Sequence, residues 1–210
     1  MISLFSCKTR KVWLKSVELV SAVCFCFLSN SQFDLWMMKV SIILWLIISV
    51  VCPAVYMHYV FIYGTLKKGQ SNHSIIKNTT NGQAEFLARA RTVERYPLVI
   101  ATKNNYPFLL NVPGMGQRVH GEIYCVDQKM LDFLDEFEAC PELYQRTTVQ
   151  VEVQDGDGEG ANTLKPGRFM DAFVYSTTRY EPEWLQKPTY ENYDTNGDHG
   201  LQYHEDTSPE

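Results

Sequence analysis

The chain has 210 residues, 45% of them hydrophobic, and a formal net charge of -5 at pH 7. This acidic balance argues against nucleic-acid binding, which needs a basic face. The length suits one globular domain with an appendage. Of six cysteines, only Cys125 and Cys140 lie after residue 56, and their spacing is not that of a zinc site. We therefore expect no metal and no disulfide framework.

The first 56 residues differ in composition from the rest of the chain. Residues 17–28 are apolar but short for a membrane span, whereas residues 40–56 are uncharged and approach the ~20 residues that a transmembrane helix needs. A strand-like segment follows at residue 59 without a linker, and Met57 would suit the start of an ordinary domain. We interpret residues 1–56 as an apolar N-terminal extension of a domain at 57–210, arising from an alternative isoform or from upstream translation in an over-extended gene model. The alternative is a single-pass membrane protein through residues 40–56.

Two acceptor sequences for N-linked glycans follow the first strand. They are Asn72-His73-Ser74 and Asn78-Thr79-Thr80. In a luminal protein both would carry glycans, whereas in a cytosolic protein they are part of a polar loop. The sequence favours the cytosol, because the domain from Met57 looks complete without the apolar extension.

The globular part alternates short strands with one clear helix. Strands are predicted at residues 59–63, 97–101, 106–114, 118–126, 144–154 and 169–176, and residues 83–93 are ambiguous with strand-like alternation. Residues 127–140 have apolar side chains at helical spacing, with Asp127 as N-cap and Pro141 at the end. Residues 155–168 form an acidic, glycine-rich loop. This order predicts an α+β fold: a small mixed or antiparallel β-barrel with flanking helices.

A first candidate site is the segment YGTLKKG, residues 63–69. A strand that ends in a Gly-Thr turn presents consecutive backbone N–H groups, which can bind an anion such as a carboxylate. Gly64 would let the backbone approach a ligand closely. Lys67 and Lys68 would add positive potential nearby. The alternative interpretation is an ordinary tight turn.

A second candidate site is the acidic end of the predicted helix. Asp135, Glu136 and Glu138 lie where the helix dipole disfavours negative charge. Glu138 is close to the break at Pro141, so it could face a cleft. Desolvation there would raise the pKa of its carboxyl group, which suits a general base. The alternative is a solvated acidic helix end.

Several segments in this order resemble the gamma-glutamylcyclotransferase-like superfamily. They are YGTLKKGQ, YPLVIA, GEIYCVD, LDEFEACPELYQR and FVYS, and the tail NYDTNGDHGLQY is similar to that of animal members of the amine-specific branch. The resemblance covers residues 57–203. It implies cleavage of a gamma-glutamyl bond by internal cyclisation, giving 5-oxoproline and a free amine without a cofactor. The implied substrate is L-gamma-glutamyl-L-epsilon-lysine, which remains when transglutaminase cross-links are degraded.

The resemblance also implies roles for particular residues. Glu138 would be the catalytic base, and the loop Tyr63, Gly64, Thr65 and Leu66 would bind the glutamyl carboxylate and polarise the carbonyl group. Aromatic residues such as Tyr144 or Tyr203 would line the pocket for the leaving amine. The sequence YGTL departs from the YGSL of the glutathione-degrading branch and the YGSN of the cytosolic branch.

Alternative functions are a glutathione or gamma-glutamyl-amino-acid cyclotransferase, or a non-enzymatic carboxylate-binding module of the same fold. We expect a monomer that binds a small molecule, no nucleic acid, and a membrane only if the N-terminal extension is expressed.

Overall fold

The computed structural model describes residues 57–156 and 164–204. The elements in these ranges are β1 (Met57–Ile62), α1 (His73–Lys77), β2 (Ala84–Thr92), β3 (Leu98–Ala101), β4 (Tyr106–Leu109), β5 (His120–Asp127), α2 (Gln128–Phe137), β6 (Gln145–Asp155), β7 (Phe169–Ser176) and a 3₁₀ helix (Pro182–Gln186). The ambiguous residues 83–93 form strand β2. Helix α2 ends three residues before the predicted boundary at residue 140. Helix α1 and the 3₁₀ helix were not predicted, because five residues are too few to show a helical period.

Five of the strands close into a barrel in the order β1-β5-β2-β6-β7, and β3 and β4 form a separate hairpin. Neighbours are antiparallel for β2 with β5, β2 with β6, and β6 with β7. Strand β1 instead runs parallel to β7, with Val60 opposite Phe173. This mixed barrel with flanking helices confirms the α+β fold predicted from the sequence.

Side-chain periodicity explains how the barrel and α2 form the core. Alternate residues of β6, namely Val149, Val151 and Val153, are buried, whereas the residues between them are more exposed. In α2, one face buries Met130, Leu131 and Leu134 at helical spacing. The predicted N-cap is confirmed, because an Asp127 carboxylate oxygen accepts a hydrogen bond from the Met130 N–H at 2.8 Å.

The extension at residues 1–56 lies outside the described residues, and so does its apolar segment 40–56. Within the described ranges, none of the helices combines the length and the apolar character required to span a bilayer. The proposed division at residue 57 stays a prediction, because residues 1–56 lie outside the described part of the chain.

Candidate active site

A cavity of about 250 Å³ opens where β1 runs into the loop at residues 63–68, called the Gly-Thr loop below. The cavity is small compared with the ~300–1,000 Å³ typical of pockets for drug-sized ligands, so it suits a small metabolite. Its walls come from β1, the Gly-Thr loop, β4, the end of α2, β7 and the C-terminal tail. The lining residues are Val60, Phe61, Ile62, Tyr63, Gly64, Thr65, Leu66, Asn72, Tyr106, Pro107, Leu134, Phe137, Glu138, Leu143, Tyr144, Tyr175 and Tyr203.

The phenol of Tyr63 fixes the start of the Gly-Thr loop. Its hydroxyl group donates to the Tyr175 carbonyl at 2.8 Å and accepts from the Leu109 N–H at 3.2 Å. Burial, together with the nearby negative charge of Glu138, raises the pKa of this phenol well above its usual value. The neutral hydroxyl group therefore joins β1 to β7 and to the end of β4.

Backbone N–H groups of the Gly-Thr loop lie in the cavity wall without partners among the described residues. In the part of the chain that the structure describes, the N–H groups of Gly64, Thr65 and Leu66 donate to no protein acceptor. The loop carbonyls are bonded instead, because the Lys67 N–H donates to Gly64 at 3.2 Å and the Asn72 N–H donates to Thr65 at 3.0 Å. Unpaired N–H groups at a cavity wall are available to an anionic ligand.

Gly64 packs closely against the hairpin. A Cβ atom at this position would lie 3.1 Å from Cγ of Pro107. Gly64 is not among the glycines with positive φ, so an unusual backbone angle is not the reason for it. The absence of a side chain here lets the Gly-Thr loop rest directly on Pro107, which also lines the cavity.

Lys67 and Lys68, predicted to add positive potential near the ligand, do not line the cavity. Lys67 is buried away from the cavity, and its Nζ donates to Asn192 Oδ1 at 2.6 Å and to the Tyr193 carbonyl at 2.7 Å. Burial lowers the pKa of Lys67 to about 8, although the negative charge of Glu122 opposes this. Lys68 is exposed, and its backbone N–H donates to Glu122. The first lysine binds the C-terminal tail, and neither lines the cavity.

Glu138 lies at the end of α2, and its side chain lines the cavity. Desolvation raises the pKa of its carboxyl group from 4.5 to about 7. Its exposure is intermediate, because the side chain opens onto the cavity. Among the described residues, no hydrogen bond or ion pair engages this carboxylate. A carboxylate with such a pKa can accept a proton near neutral pH and release it again.

The backbone after α2 stops the helix at Glu138. The Ala139 N–H donates to the Glu136 carbonyl at 3.0 Å, and the Cys140 N–H donates to the Asp135 carbonyl at 2.9 Å. Together with a φ of 46° at Ala139, these bonds form a Schellman motif. The motif ends the helix before Pro141 and turns the chain directly after Glu138.

Ala139→Gly is expected to stabilise the protein by about 0.5–1 kcal/mol, because glycine adopts the left-handed conformation without the steric cost of a Cβ atom. The midpoint of urea unfolding measures this effect. Glu142→Gly, an exposed position after the motif, is the control and should not increase stability. A lower midpoint for Ala139→Gly than for the wild type would contradict this account of the helix end.

The other carboxylates at the helix end do not enter the cavity. Asp135 accepts a hydrogen bond from the Tyr175 hydroxyl group at 2.7 Å and forms an ion pair with Arg146. Glu136 is exposed to solvent. The unfavourable placement of acidic residues near the helix C-terminus is therefore relieved at Asp135 by Arg146, and only Glu138 faces the cavity.

Sequence reasoning missed several residues of the cavity wall. They are Asn72, Tyr106, Pro107, Phe137, Leu143 and Tyr175. Tyr144 and Tyr203, which we suggested for the leaving-amine pocket, both line the cavity, and the Tyr144 hydroxyl group donates to the Pro107 carbonyl at 3.1 Å. The local signal for Asn72, Phe137 and Leu143 was that they lie close in the sequence to residues already proposed for the site.

The fold and the cavity define a class of protein. It is a small α+β barrel with a cavity that contains unpaired backbone donors and a carboxylate with a raised pKa. Such a cavity can bind a small anionic molecule and remove a proton from it.

Comparison with known proteins identifies the family. Residues 60–195 match the family model described as gamma-glutamyl cyclotransferase, AIG2-like. Gamma-glutamylaminecyclotransferase C of Danio rerio is 62% identical over 146 residues, covering 70% of this chain and 92% of that protein. The Homo sapiens gamma-glutamylaminecyclotransferase is 49% identical over 147 residues, covering 70% and 96%. A crystal structure of an AIG2-like protein from Mus musculus superposes with a TM-score of 0.67 at 48% identity, covering 73% of this chain and 99% of that one. The chain belongs to the gamma-glutamyl cyclotransferase, AIG2-like family, which confirms the resemblance seen in the sequence.

Proposed function

We propose that this protein is a gamma-glutamylamine cyclotransferase, a lyase-type enzyme that converts L-gamma-glutamyl-L-epsilon-lysine into 5-oxoproline and lysine. The observation that carries the proposal is the presence, in one cavity, of the unpaired N–H groups of the Gly-Thr loop and the carboxylate of Glu138. Identities of 49% and 62% to proteins named gamma-glutamylaminecyclotransferase support it. The glutathione-directed and non-enzymatic alternatives have no such support.

The Gly-Thr loop binds the glutamyl half of the substrate. The N–H groups of Gly64, Thr65 and Leu66 donate to its α-carboxylate and polarise the γ-carbonyl group, in a cavity where no described wall residue is a lysine or an arginine. This arrangement folds the glutamyl chain so that its α-amine approaches its own γ-carbon. Such orientation can supply on the order of 7–11 kcal/mol in an intramolecular reaction.

Glu138 moves the protons. Its carboxylate takes one proton from the substrate α-ammonium group, and the amine nitrogen forms a bond to the γ-carbon. Glu138 gives this proton to the lysine Nε as the bond from the γ-carbon to Nε breaks. The ring nitrogen then loses its second excess proton, which Glu138 passes to the departing amine, so that lysine leaves with an ammonium group. No water is consumed. Because its pKa is raised from 4.5 to about 7, this carboxylate is a stronger base than an ordinary glutamate side chain.

The activity is expected to depend on pH through Glu138. Because the base must be ionised, kcat/KM should rise with pH to a plateau, with a midpoint near the pKa of about 7. Below the midpoint it should fall about tenfold per pH unit. Rates of 5-oxoproline formation across the pH range measure this. A profile that is flat between pH 5 and 7 would remove Glu138 from the proton transfers.

The enzyme is expected to prefer gamma-glutamyl-lysine to glutathione. Phe137 and Leu143 are 38% and 40% exposed at the rim of the cavity, where they can pack against a slim methylene chain. The leaving amine of glutathione instead carries its peptide carbonyl on the adjacent carbon. One misplaced group costs ~1–3 kcal/mol, so the expected preference in specificity constant is about 10–200-fold. Equal values would assign the chain to the glutathione-directed alternative.

One experiment tests the proposed activity and the division of the chain together. The full chain and residues 57–210 are incubated separately with gamma-glutamyl-lysine, and 5-oxoproline is measured. We expect equal turnover, since we propose that residues 57–210 form the catalytic domain and 1–56 an upstream extension. Binding of 5-oxoproline without turnover in either protein would indicate a carboxylate-binding module. Turnover by the full chain alone would show that the extension is part of the enzyme.

We further propose that the protein acts as a cytosolic monomer that binds no nucleic acid. No disulfide joins Cys125 and Cys140 in the described part of the chain, as is typical of a reducing compartment. The Asn72 amide nitrogen already donates to Thr65 and Tyr203 beside the cavity, so a glycan on that nitrogen would disturb the site. Mass spectrometry of the endogenous protein tests the location, because abundant peptides from residues 40–56 or a glycan on Asn72 would contradict it.

A further inference from the structure

Asn72 occupies the N-cap position of α1 but does not cap the helix. Asparagine is a favoured N-cap residue because its side-chain oxygen accepts a hydrogen bond from the first turn. In this protein the side chain makes no such bond. Its amide nitrogen donates instead to the Thr65 hydroxyl oxygen at 3.1 Å and to the Tyr203 hydroxyl oxygen at 3.2 Å. The Asn72 side chain therefore makes two contacts beside the cavity in place of the usual N-cap hydrogen bond.

The contacts with Thr65 fix the direction of a backbone donor. Besides the side-chain bond, the Asn72 backbone N–H donates to the Thr65 carbonyl at 3.0 Å. The peptide unit between Thr65 and Leu66 is planar, so its carbonyl and N–H groups point in opposite directions. The backbone bond to the Thr65 carbonyl therefore sets the direction of the Leu66 N–H, one of the donors without a partner among the described residues. The side-chain bond to the Thr65 hydroxyl group, which Asn72→Ala removes, restrains the same residue a second time.

The contact with Tyr203 joins the C-terminal tail to the same point. Tyr203 follows Asn72 by 131 residues and packs its ring 5.5 Å from the ring of Tyr106. On either side of it, the His204 N–H donates to the Asn104 carbonyl, and the Gln202 carbonyl accepts from Asn105. Both Tyr203 and Asn72 line the cavity. The Asn72 amide thus links the Gly-Thr loop to the tail segment that forms another part of the wall.

We propose that Asn72 is a positioning residue for the reaction: its amide holds the Gly-Thr loop and Tyr203 in the arrangement that receives the glutamyl group. This inference rests on the proposed function for its kinetic consequences, but the effect on the loop does not depend on it. Asn72 acts through Thr65 and Leu66 and takes no part in the proton transfers of Glu138.

The test compares Asn72→Ala with the matched control Asn81→Ala. The Asn81 amide also donates to a backbone carbonyl near α1, that of Ile75 at 3.2 Å, but Asn81 does not line the cavity. We expect Asn72→Ala to lower both kcat/KM and the affinity for 5-oxoproline about tenfold or more, because small misplacements of binding groups are costly. The midpoint of the pH profile should not move. Losses no greater than those of Asn81→Ala would overturn the proposal.

Tyr203→Phe provides a second variant that removes only one partner of the amide. If Asn72 and Tyr203 act as a unit, the double variant should lose less activity than the sum of the two single losses in free energy. Strict additivity would show that the tail is not positioned through Asn72. The backbone amide NMR signals of Thr65 and Leu66 should shift in Asn72→Ala and keep their positions in Asn81→Ala. Unchanged signals in both would overturn the proposed role of Asn72.

The proposed enzymatic activity and the proposed role of Asn72 can be disproved separately. A wild-type protein that forms no 5-oxoproline would overturn the proposed function. In that case the NMR comparison still decides whether Asn72 positions the loop, because the signals report the backbone and not turnover.

Discussion

Glu138→Gln is expected to lower the turnover of gamma-glutamyl-lysine by about 10²–10⁴-fold, the usual contribution of a positioned acid or base. Glutamine has the same shape as glutamate but cannot take the proton from the substrate amine. Binding of 5-oxoproline should persist, because the N–H groups of the Gly-Thr loop are unchanged. Single-turnover kinetics and product-binding measurements separate the two effects. A variant with near-normal turnover would show that another group accepts the proton.

The same substitution should stabilise the fold at higher pH. The carboxyl pKa is about 7 in the folded protein and 4.5 without desolvation, so folding favours the protonated form. The contribution of the Glu138 carboxyl group to the free energy of unfolding is fully present below pH 4.5, and it is lost as the pH rises through 7. Above pH 7 the glutamine variant should therefore be more stable by roughly 1–3 kcal/mol, and the difference should disappear below pH 4.5.

Glu136→Gln is the matched control for both effects. Glu136 lies two residues earlier on the same helix end, is exposed, and does not line the cavity. Its replacement removes one negative charge from the same region without removing the proposed base. We expect normal turnover and no pH-dependent gain in stability. Equal effects in the two variants would attribute them to net charge at the helix end.

Gly121→Ala is expected to destabilise the barrel by about 1–3 kcal/mol or more, the usual cost of overpacking. A Cβ atom at Gly121 in β5 would lie 2.5 Å from the Ile62 carbonyl oxygen and 2.6 Å from Cζ of Phe61. The backbone of β1 must then move away from β5, and β1 leads directly into the Gly-Thr loop. We therefore expect weaker binding of 5-oxoproline as well. Urea unfolding and product titration measure the two losses.

Gly69→Ala is the control for Gly121→Ala. Gly69 has a φ of 83°, and nothing lies within 4 Å of an added Cβ atom. Its replacement carries only the conformational cost of a left-handed alanine, about 1 kcal/mol. Gly121 is not among the glycines with positive φ, so its cost comes from packing alone. A smaller loss for Gly121→Ala than for Gly69→Ala would contradict the close approach of β5 and β1.

Local patterns in the sequence predicted most of the strands and the longer helix, and they pointed to the proposed base. The period of two in β6 and the helical spacing in α2 follow from the geometry of each element, and the Asp127 cap needs only residues within one turn. The clash between acidic residues and the helix dipole drew attention to residues 135–138. Each of these patterns involves residues that are close in the sequence, so they could be recognised without knowledge of the fold.

Contacts between distant segments were decided by the tertiary structure alone. The direction of the Lys67 side chain depends on Asn192 and Tyr193, more than a hundred residues later. The sequence around a loop lysine does not show which distant residues it will contact. The pairing of Asn72 with Tyr203 likewise requires the tail to return to the Gly-Thr loop. That return, and the parallel pairing of β1 with β7, depend on closure of the barrel. Closure is favoured by burial of the whole core, a free energy that no short segment contains by itself.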